Sequence, residues 1–276
     1  MKFQYLGTAA AEGIPALYCQ CKTCLKAWKN KGKDIRTRSQ AIINDELLID
    51  FGPESYYHMF NYDVRLDRIH HVLITHAHSD HFYPNELIYR SSGYTRFAEK
   101  EPLYIYGSTL VNKMVVEAIN AEGITEKLVQ PVIVKPYVPF KVLNYEIVAL
   151  EANHDPLSEP FIYLIKQNDI QILYAHDTGF FKEKAWEYLK TIKKPLDMVS
   201  LDCTACLLNN WRDGHLSFDV FLEVINEMKK HNIIDDHTKI IANHFSHNGN
   251  ATYEEMKEVA SKYNVDVSYD GMVVDL

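Results

Sequence analysis

The 276-residue chain reads as an α/β (α+β) protein built from two back-to-back β-sheets covered by helices. Two observations predict this. Short apolar and β-branched runs of strand length recur in both halves of the chain, and helix-length segments with one apolar face lie between them, as a helix-covered pair of sheets requires. No linker, repeat or low-complexity segment breaks the pattern, so a single domain over residues 1–276 is expected. Hydrophobic residues make up 47% of the sequence, ample for a sizeable core.

Taken in order, residues 2–6 form a first strand that ends in Gly7-Thr8-Ala9-Ala10. The next loop carries Cys19-Gln20-Cys21-Lys22-Thr23-Cys24 and leads into a basic helix from Leu25 to Lys33. Ala41 to Asp50 reads as a hairpin turning at Asn44-Asp45, and Glu54 to Asn61 and Pro84 to Ser91 as short helices. A strand at Leu103–Tyr106 precedes a helix from Leu110 to Ala121, and further strands fall near 131–134, 145–151, 160–167 and 170–176. Lys182 to Lys193 is a helix closed by Pro195, Asp197 to Asp202 a buried strand, and Phe218 to His231 an amphipathic helix. Lys239 to Ala242 is a strand, Thr252-Tyr253-Glu254-Glu255 has capping-box spacing for a helix reaching about Tyr263, and Val265 to Val274 supplies a last strand.

The chemistry centres on His76-Ala77-His78-Ser79-Asp80-His81, which follows the apolar run Val72 to Thr75. Imidazole and carboxylate donors suit zinc, iron or manganese. Four donors in six residues cannot wrap one ion without strain, but they divide easily between two: His76 and His78 to one side, Asp80 and His81 to the other. More candidates follow apolar strands downstream: His154, Asp177 and His244.

This pattern resembles the signature of the metallo-β-lactamase-fold hydrolases. The resemblance spans nearly the whole chain and implies a four-layer αββα sandwich, two mixed β-sheets flanked by helices, with the metals at one edge. Transferred position by position, it implies that His76, His78 and His154 hold one divalent ion and Asp80, His81 and His244 the other, with Asp177 bridging. The cofactors implied are two manganese or zinc ions, iron being a third choice. The resemblance also places Asp50, before Phe51-Gly52, as an acid that orients a ligand histidine; Asp202, at the end of another buried strand, is a second candidate.

Cys19, Cys21 and Cys24 are close enough to share a structural zinc, with His247 as fourth ligand in preference to Cys203 or Cys206. That combination, and the opening Leu6 to Pro15, is similar to the phosphonate-pathway cyclic phosphodiesterase subgroup. In that subgroup a histidine in the region of His215 contacts phosphate, which makes His215 the candidate general acid beside Asp80 in the catalytic set. Ser217 reads as a helix cap, and His176 as turned away from the metals by strand alternation.

The function expected is therefore a phosphoric diester hydrolase acting on a small, possibly cyclic, phosphate ester. Alternatives carried are a tRNA 3′-processing nuclease, a lactonase or thioesterase, and a non-catalytic metal-binding accessory protein. The formal charge of −8 argues against nucleic acid as partner. The start of the chain does not resemble a signal peptide and no apolar run spans a bilayer, so a cytoplasmic protein with no membrane partner is expected. The resemblance suggests a homodimer. Tyr18, Tyr83, Tyr89, Tyr94, Phe97 and Tyr106 are candidates for the pocket wall, and Arg90 and Arg96 for gripping a second phosphate.

Overall fold

The computed structural model describes residues 1–121, 123 and 127–276. The first half contains β1 (Lys2–Gly7), α1 (Lys22–Asn30), β2 (Gln40–Ile43), β3 (Leu47–Ile49), α2 (Ser55–Asn61), β4 (His71–Leu73), β5 (Leu103–Gly107), α3 (Thr109–Ala121) and β6 (Val129–Ile133). The second contains β7 (Phe140–Val142), β8 (Tyr145–Glu151), β9 (Phe161–Gln167), β10 (Ile170–Ala175), α4 (Glu183–Leu189), β11 (Met198–Asp202), α5 (Phe218–Lys230), β12 (Lys239–Asn243), α6 (Tyr253–Ala260), β13 (Asp266–Val267) and β14 (Val273–Asp275). Among the described residues each sheet has seven strands, ordered β14-β1-β2-β3-β4-β5-β6 and β13-β12-β11-β10-β9-β8-β7. Both are mixed: β3 to β6 and β10 to β13 run parallel, and the remaining pairings are antiparallel.

Strand periodicity builds the layers. Along β8, Tyr145, Ile147 and Ala149 join the core between the sheets, while Val148 and Leu150 join the cluster under α4, α5 and α6. Along β2, Ala41 and Ile43 point inward and Ile42 outward, toward Val111 and Val115 of α3. The buried tyrosines of the middle layer spend their hydroxyls across it: Tyr5 Oη donates to Ser200 Oγ at 2.7 Å and Tyr163 Oη to the Ile74 carbonyl at 2.7 Å. The second bond, with Phe161 N to the Thr75 carbonyl at 2.9 Å, brings the end of β4 against β9 of the other sheet. Among the described residues no helix is long and apolar enough to cross a membrane.

The hairpin turn at Asn44-Asp45 forms with both residues at positive φ, and Thr252 with Glu255 closes the expected capping box. Four expectations need correcting. The stretch from Val265 to Val274 is not one strand: β13 ends the second sheet and β14 the first, and the turn between them passes Gly271 at φ 87°. A Cβ at Gly271 would lie 2.6 Å from the Tyr62 ring. Helix α1 starts three residues earlier than expected, because the Cys21 sulfur caps it by accepting from Cys24 N. Helix α4 ends at Leu189, well before Pro195. Ser217 occupies the N-cap position of α5, but its hydroxyl accepts from Trp211 N instead of capping the helix.

A buried polar node fastens the N-terminal loop to the last turn. Arg36, 4% exposed, donates from Nη1 to Thr8 Oγ1 and to the Ser268 carbonyl, both at 2.8 Å, and lies over the Phe245 ring. Asp270 accepts from Thr37 N and Thr37 Oγ1, each at 2.6 Å, and from Thr8 Oγ1. Burial pushes its carboxyl up to about 6. A raised folded-state pKa means the native protein holds this proton more tightly than the unfolded chain. Its stabilisation is therefore full below about pH 3.9 and is lost as pH rises through 6. Asp270→Asn is expected to remove roughly 2 kcal/mol of that decline between pH 4 and 7, read from urea unfolding at several pH values; parallel pH profiles for the two proteins would contradict it.

Candidate metal centre

The site lies where the carboxyl ends of β3, β4, β8, β10, β11 and β12 meet. Asp50 follows β3, His76 to His81 follow β4, His154 follows β8, Asp177 follows β10, Asp202 ends β11, and His244 follows β12. Asp50, Asp177 and His244 adopt left-handed backbone, at φ 66°, 49° and 64°. Such conformations are unfavourable for residues other than glycine and gather where a site over-determines them. The loop after Asp50 packs tightly on the histidine motif: Phe51 N donates to the His81 carbonyl at 2.8 Å, and a Cβ at Gly52 would stand 2.2 Å from the Asp80 carbonyl oxygen.

The donor atoms converge. His76 Nε2 lies 3.0 Å from His78 Nδ1, which is 3.3 Å from His154 Nε2. Nitrogens each about 2.0–2.1 Å from one tetrahedral ion would stand about 3.3 Å apart. On the other side His81 Nε2 is 3.3 Å from His244 Nε2 and 3.2 Å from Asp80 Oδ2. Asp177 lies between the groups. Its Oδ2 is 2.7 Å from His81 Nε2 and 2.8 Å from His244 Nε2, and its Oδ1 is 3.6 Å from His154 Nε2. Yet Oδ2 is buried and accepts no hydrogen bond of acceptable geometry. A buried carboxylate oxygen crowded by ring nitrogens yet left without a hydrogen bond is placed as a shared cation would require. The donor set fits two divalent cations.

Behind each imidazole stands an oxygen. His76 Nδ1 meets Thr75 Oγ1 at 3.0 Å, His78 Nε2 meets Asp155 Oδ2 at 3.3 Å, and His81 Nδ1 meets Asp50 Oδ2 at 2.7 Å. His154 Nδ1 meets the Gly214 carbonyl at 3.0 Å, and His244 Nδ1 meets Thr204 Oγ1 at 2.8 Å. Such partners fix ring orientation and tautomer, leaving the inner nitrogen as the donor. Charge agrees. Burial opposes a proton on His81, but Asp177, Asp80 and Asp50 outweigh it and lift its pKa well above the ordinary value. Burial likewise opposes a charge on His244, and Asp177 and Asp202 carry it up to about 10. The negative field that draws protons to these rings is one a divalent cation would answer.

The four residues of the cysteine loop also meet. Cys19, Cys21, Cys24 and His247 bring one donor atom each within 4.8 Å of one another, with His247 Nδ1 at 3.5 Å from Cys19 Sγ and 3.4 Å from Cys21 Sγ. Each sulfur accepts a backbone N–H, from Cys21, Cys24 and Ala16 respectively. Burial pushes the Cys21 thiol up, but the Cys24 N–H and the His247 ring outweigh it and bring it down to about 6, favouring the thiolate a metal needs. Cys203 and Cys206 stay outside the group, buried, with thiol pKa values raised by that burial. His176 lies apart from the centre, bonded to Ser200 Oγ at 2.7 Å and near Asn243.

A pocket of about 350 Å³ opens over the donors. His215 lines it, held through Nδ1 by Asp202 Oδ2 at 3.1 Å and facing Asp177 Oδ1 at 3.9 Å. Burial lowers the pKa of His215 and Asp202 raises it by more, so the net shift is upward. The aromatic residues expected at the wall are elsewhere. Tyr106 faces the core between the sheets, and Tyr18, Tyr83, Tyr89, Tyr94 and Phe97 are absent from the lining. Arg90 and Arg96 are bonded to the Glu101 and Ser92 carbonyls. The wall comes instead from Ala10 to Glu12, Thr204 to Trp211 and Ser246 to Gly249. Sequence reasoning missed Thr204, Asp155, Glu12 and Trp211. Asp155 alone carried a signal, as a carboxylate adjoining a candidate histidine.

The family model for a beta-lactamase superfamily domain matches residues 46–237. Ribonuclease BN of Proteus mirabilis (strain HI4320) is 29% identical over 122 residues, 44% of this chain; the chain spans only 34% of that relative's length. Among solved structures, Zn(2+)-bound PqqB from Methylobacterium extorquens superposes with a TM-score of 0.76 at 17% identity, covering 100% of both chains. A diphosphatase from the PhnP family gives 0.71 at 18% identity, over 100% of this chain and 97% of that one. The short form of human tRNase Z gives 0.66 at 17% identity, over 100% and 99%. At these identities the structural likeness is one of fold.

The Asp202–His215 pair has a measurable consequence. In metal-free protein His215 is expected to titrate above an ordinary histidine, and Asp202→Asn to lower its pKa, because Asp177 alone then opposes burial. NMR titration of the ring nitrogens reads this directly, and an unmoved His215 in the variant would exclude Asp202 as its partner.

Proposed function

The chain belongs to the beta-lactamase superfamily, and on that premise we propose that it is a metal-dependent phosphodiesterase hydrolysing a small phosphate ester, cyclic esters included. The observation that supports this most directly is the convergence of seven donors, Asp177 between them, beneath a pocket whose lip carries an acid-oriented histidine. His76, His78 and His154 would hold one ion and Asp80, His81 and His244 the other, with Asp177 placed to serve both. Imidazole and carboxylate donors accept manganese, zinc or iron. When bound, two divalent cations here lower the pKa of a coordinated water toward neutrality and offset charge on an attacked phosphoryl group.

The chain's own residues do the rest. Asp50, Thr75, Asp155, Gly214 and Thr204 keep the five imidazoles aimed. Asp202 fixes His215 through Nδ1. Nε2 of that ring has no protein partner among the described residues, and from the pocket wall it gives its proton to the departing alkoxide. Cys19, Cys21, Cys24 and His247 would hold a structural zinc, and their meeting joins the N-terminal loop to the segment after His244.

Phosphorus is favoured over carbonyl carbon because two relatives, a ribonuclease and a diphosphatase, carry phosphoryl-transfer names. The ribonuclease match also supports a second reading, an RNA nuclease. The net charge of −8 and a pocket lined by neither Lys nor Arg among the described residues weigh against it.

Metal-stripped protein resupplied with manganese, zinc or iron is expected to hydrolyse bis-p-nitrophenyl phosphate, and Asp80→Ala to lose more than about a hundredfold in kcat/KM. No turnover with metal demonstrably bound would sink the phosphodiesterase reading and move carbonyl esters forward. Independently, Cys21→Ser is expected to retain one zinc fewer than the parent by elemental analysis and to melt at a lower Tm, whereas Cys203→Ser keeps its full zinc content. Equal zinc in Cys21→Ser and parent would remove the structural site.

A further inference from the structure

Building on that phosphodiesterase reading, we infer that the pocket selects esters with a single phosphate, whose second group is planar, non-anionic and rich in hydrogen-bond donors, and that Glu12 and Trp211 impose this choice. The argument begins with what the wall lacks. Beyond the metal-facing donors and His215, the sole ionisable side chain lining the pocket among the described residues is Glu12, a carboxylate; no Lys or Arg lines it. The nearby arginines are committed elsewhere. Arg38 pairs with Glu54 and donates to the Ala11 carbonyl at 2.7 Å, and Arg212 pairs with Glu223 while lying over the Phe180 ring. A second phosphate on the substrate would find no cation and would meet Glu12.

Glu12 is also positioned. Its Oε1 accepts from Asn248 Nδ2 at 3.3 Å, and Oε2 has no protein partner among the described residues. A hydroxyl or amine of the substrate can donate to it. Trp211 is held as firmly: its N donates to Ser217 Oγ at 3.0 Å, its carbonyl accepts from Ser217 N at 3.0 Å, and Nε1 donates to the Asp213 carbonyl at 3.2 Å. Despite three hydrogen bonds the residue is 50% exposed. The indole's one N–H is thus bonded within the protein, so what its exposed half offers a ligand is apolar ring surface, which stacks on a flat group. Small residues on the rest of the wall, Ala10, Ala11, Ala205 and Gly249, leave a volume of about 350 Å³, which suits a nucleoside-sized group and little more.

The test compares two probes with the same p-nitrophenolate leaving group: thymidine 5′-(p-nitrophenyl phosphate) and its 3′-phosphorylated counterpart. The metal-loaded protein is expected to prefer the former by at least about tenfold in kcat/KM, and Glu12→Gln to narrow that ratio to about threefold or less. Trp211→Ala is expected to raise KM for the thymidine ester about tenfold, with kcat and the KM for methyl p-nitrophenyl phosphate little changed. Equal treatment of the two thymidine probes by the parent, or a ratio untouched by Glu12→Gln, would overturn the inference. If neither probe is turned over, the phosphodiesterase reading has failed, and the selectivity is read from binding. Thymidine 5′-(methyl phosphate) should then quench the emission missing in Trp211→Phe at lower concentration than its 3′-phosphorylated form does. Equal affinities would overturn it there too.

Discussion

The structure depends on one constraint: imidazole nitrogens must meet carboxylates in a nearly dry space, an arrangement that calls for positive charge between them. Five rings can do so only if the outer nitrogen of each is already occupied, and each is, by Thr75, Asp155, Asp50, Gly214 or Thr204. Those oxygens stand on four connecting segments, after β3, β4, β8 and β11, which belong to both sheets, so the cage cannot form until the sandwich has closed. Closure is enforced by the apolar layer between the sheets and by Tyr163, whose hydroxyl reaches across to the strand that ends in the histidine motif. The folding energetics and the site are therefore one problem. The same contacts that bury the middle layer set the positions of the donors.

Left-handed backbone at Asp50, Asp177 and His244 is the local cost of that arrangement. Each follows an apolar strand whose alternation would otherwise send the next side chain into the core or toward the helices. At Asp177 the effect is plain: Tyr174 faces the middle layer, His176 bonds to Ser200 behind the site, and the positive φ then turns the carboxylate toward the metal donors. Conformations of this kind cost on the order of 1–3 kcal/mol each. They persist because the surrounding hydrogen bonds leave no alternative, Asp50 with Thr75 and His81, and His244 with Thr204.

Much of this was legible in the sequence. Apolar strands with abrupt polar ends located the His76–His81 motif and the later candidates, and close thiol spacing located the cysteine loop. The residues behind the rings were legible only where a carboxylate ended a strand, as at Asp50 and Asp202. Thr204 and the Gly214 carbonyl are ordinary loop groups until tertiary contacts bring them in. The pocket wall was misread for the same reason. Exposed tyrosines are conspicuous in sequence, whereas Ala10 to Glu12 and Trp211 become neighbours only when the N-terminal loop folds onto the segment after β12. The split of Val265–Val274 between two sheets turns on a close approach at Gly271 that no periodicity displays.

The acidic character of the chain bears on the pocket as well as on its partners. Two divalent cations set against Asp80 and Asp177 would leave the floor net positive, enough to hold one phosphodiester charge without help from the wall. An enzyme that needed to hold a polyanion would extend that positive field outward with Arg or Lys, as nucleic-acid surfaces do. Here the lining adds a carboxylate, Glu12, and a half-exposed indole, Trp211, instead. On the proposed reading, that arrangement favours phosphate toward the donors and an uncharged or cationic, flat group toward Glu12 and Trp211. It also explains how a protein with a formal charge of −8 could act on an anion. A small anion meets the charge beside the donors, whereas a large polyanion meets the charge of the whole surface.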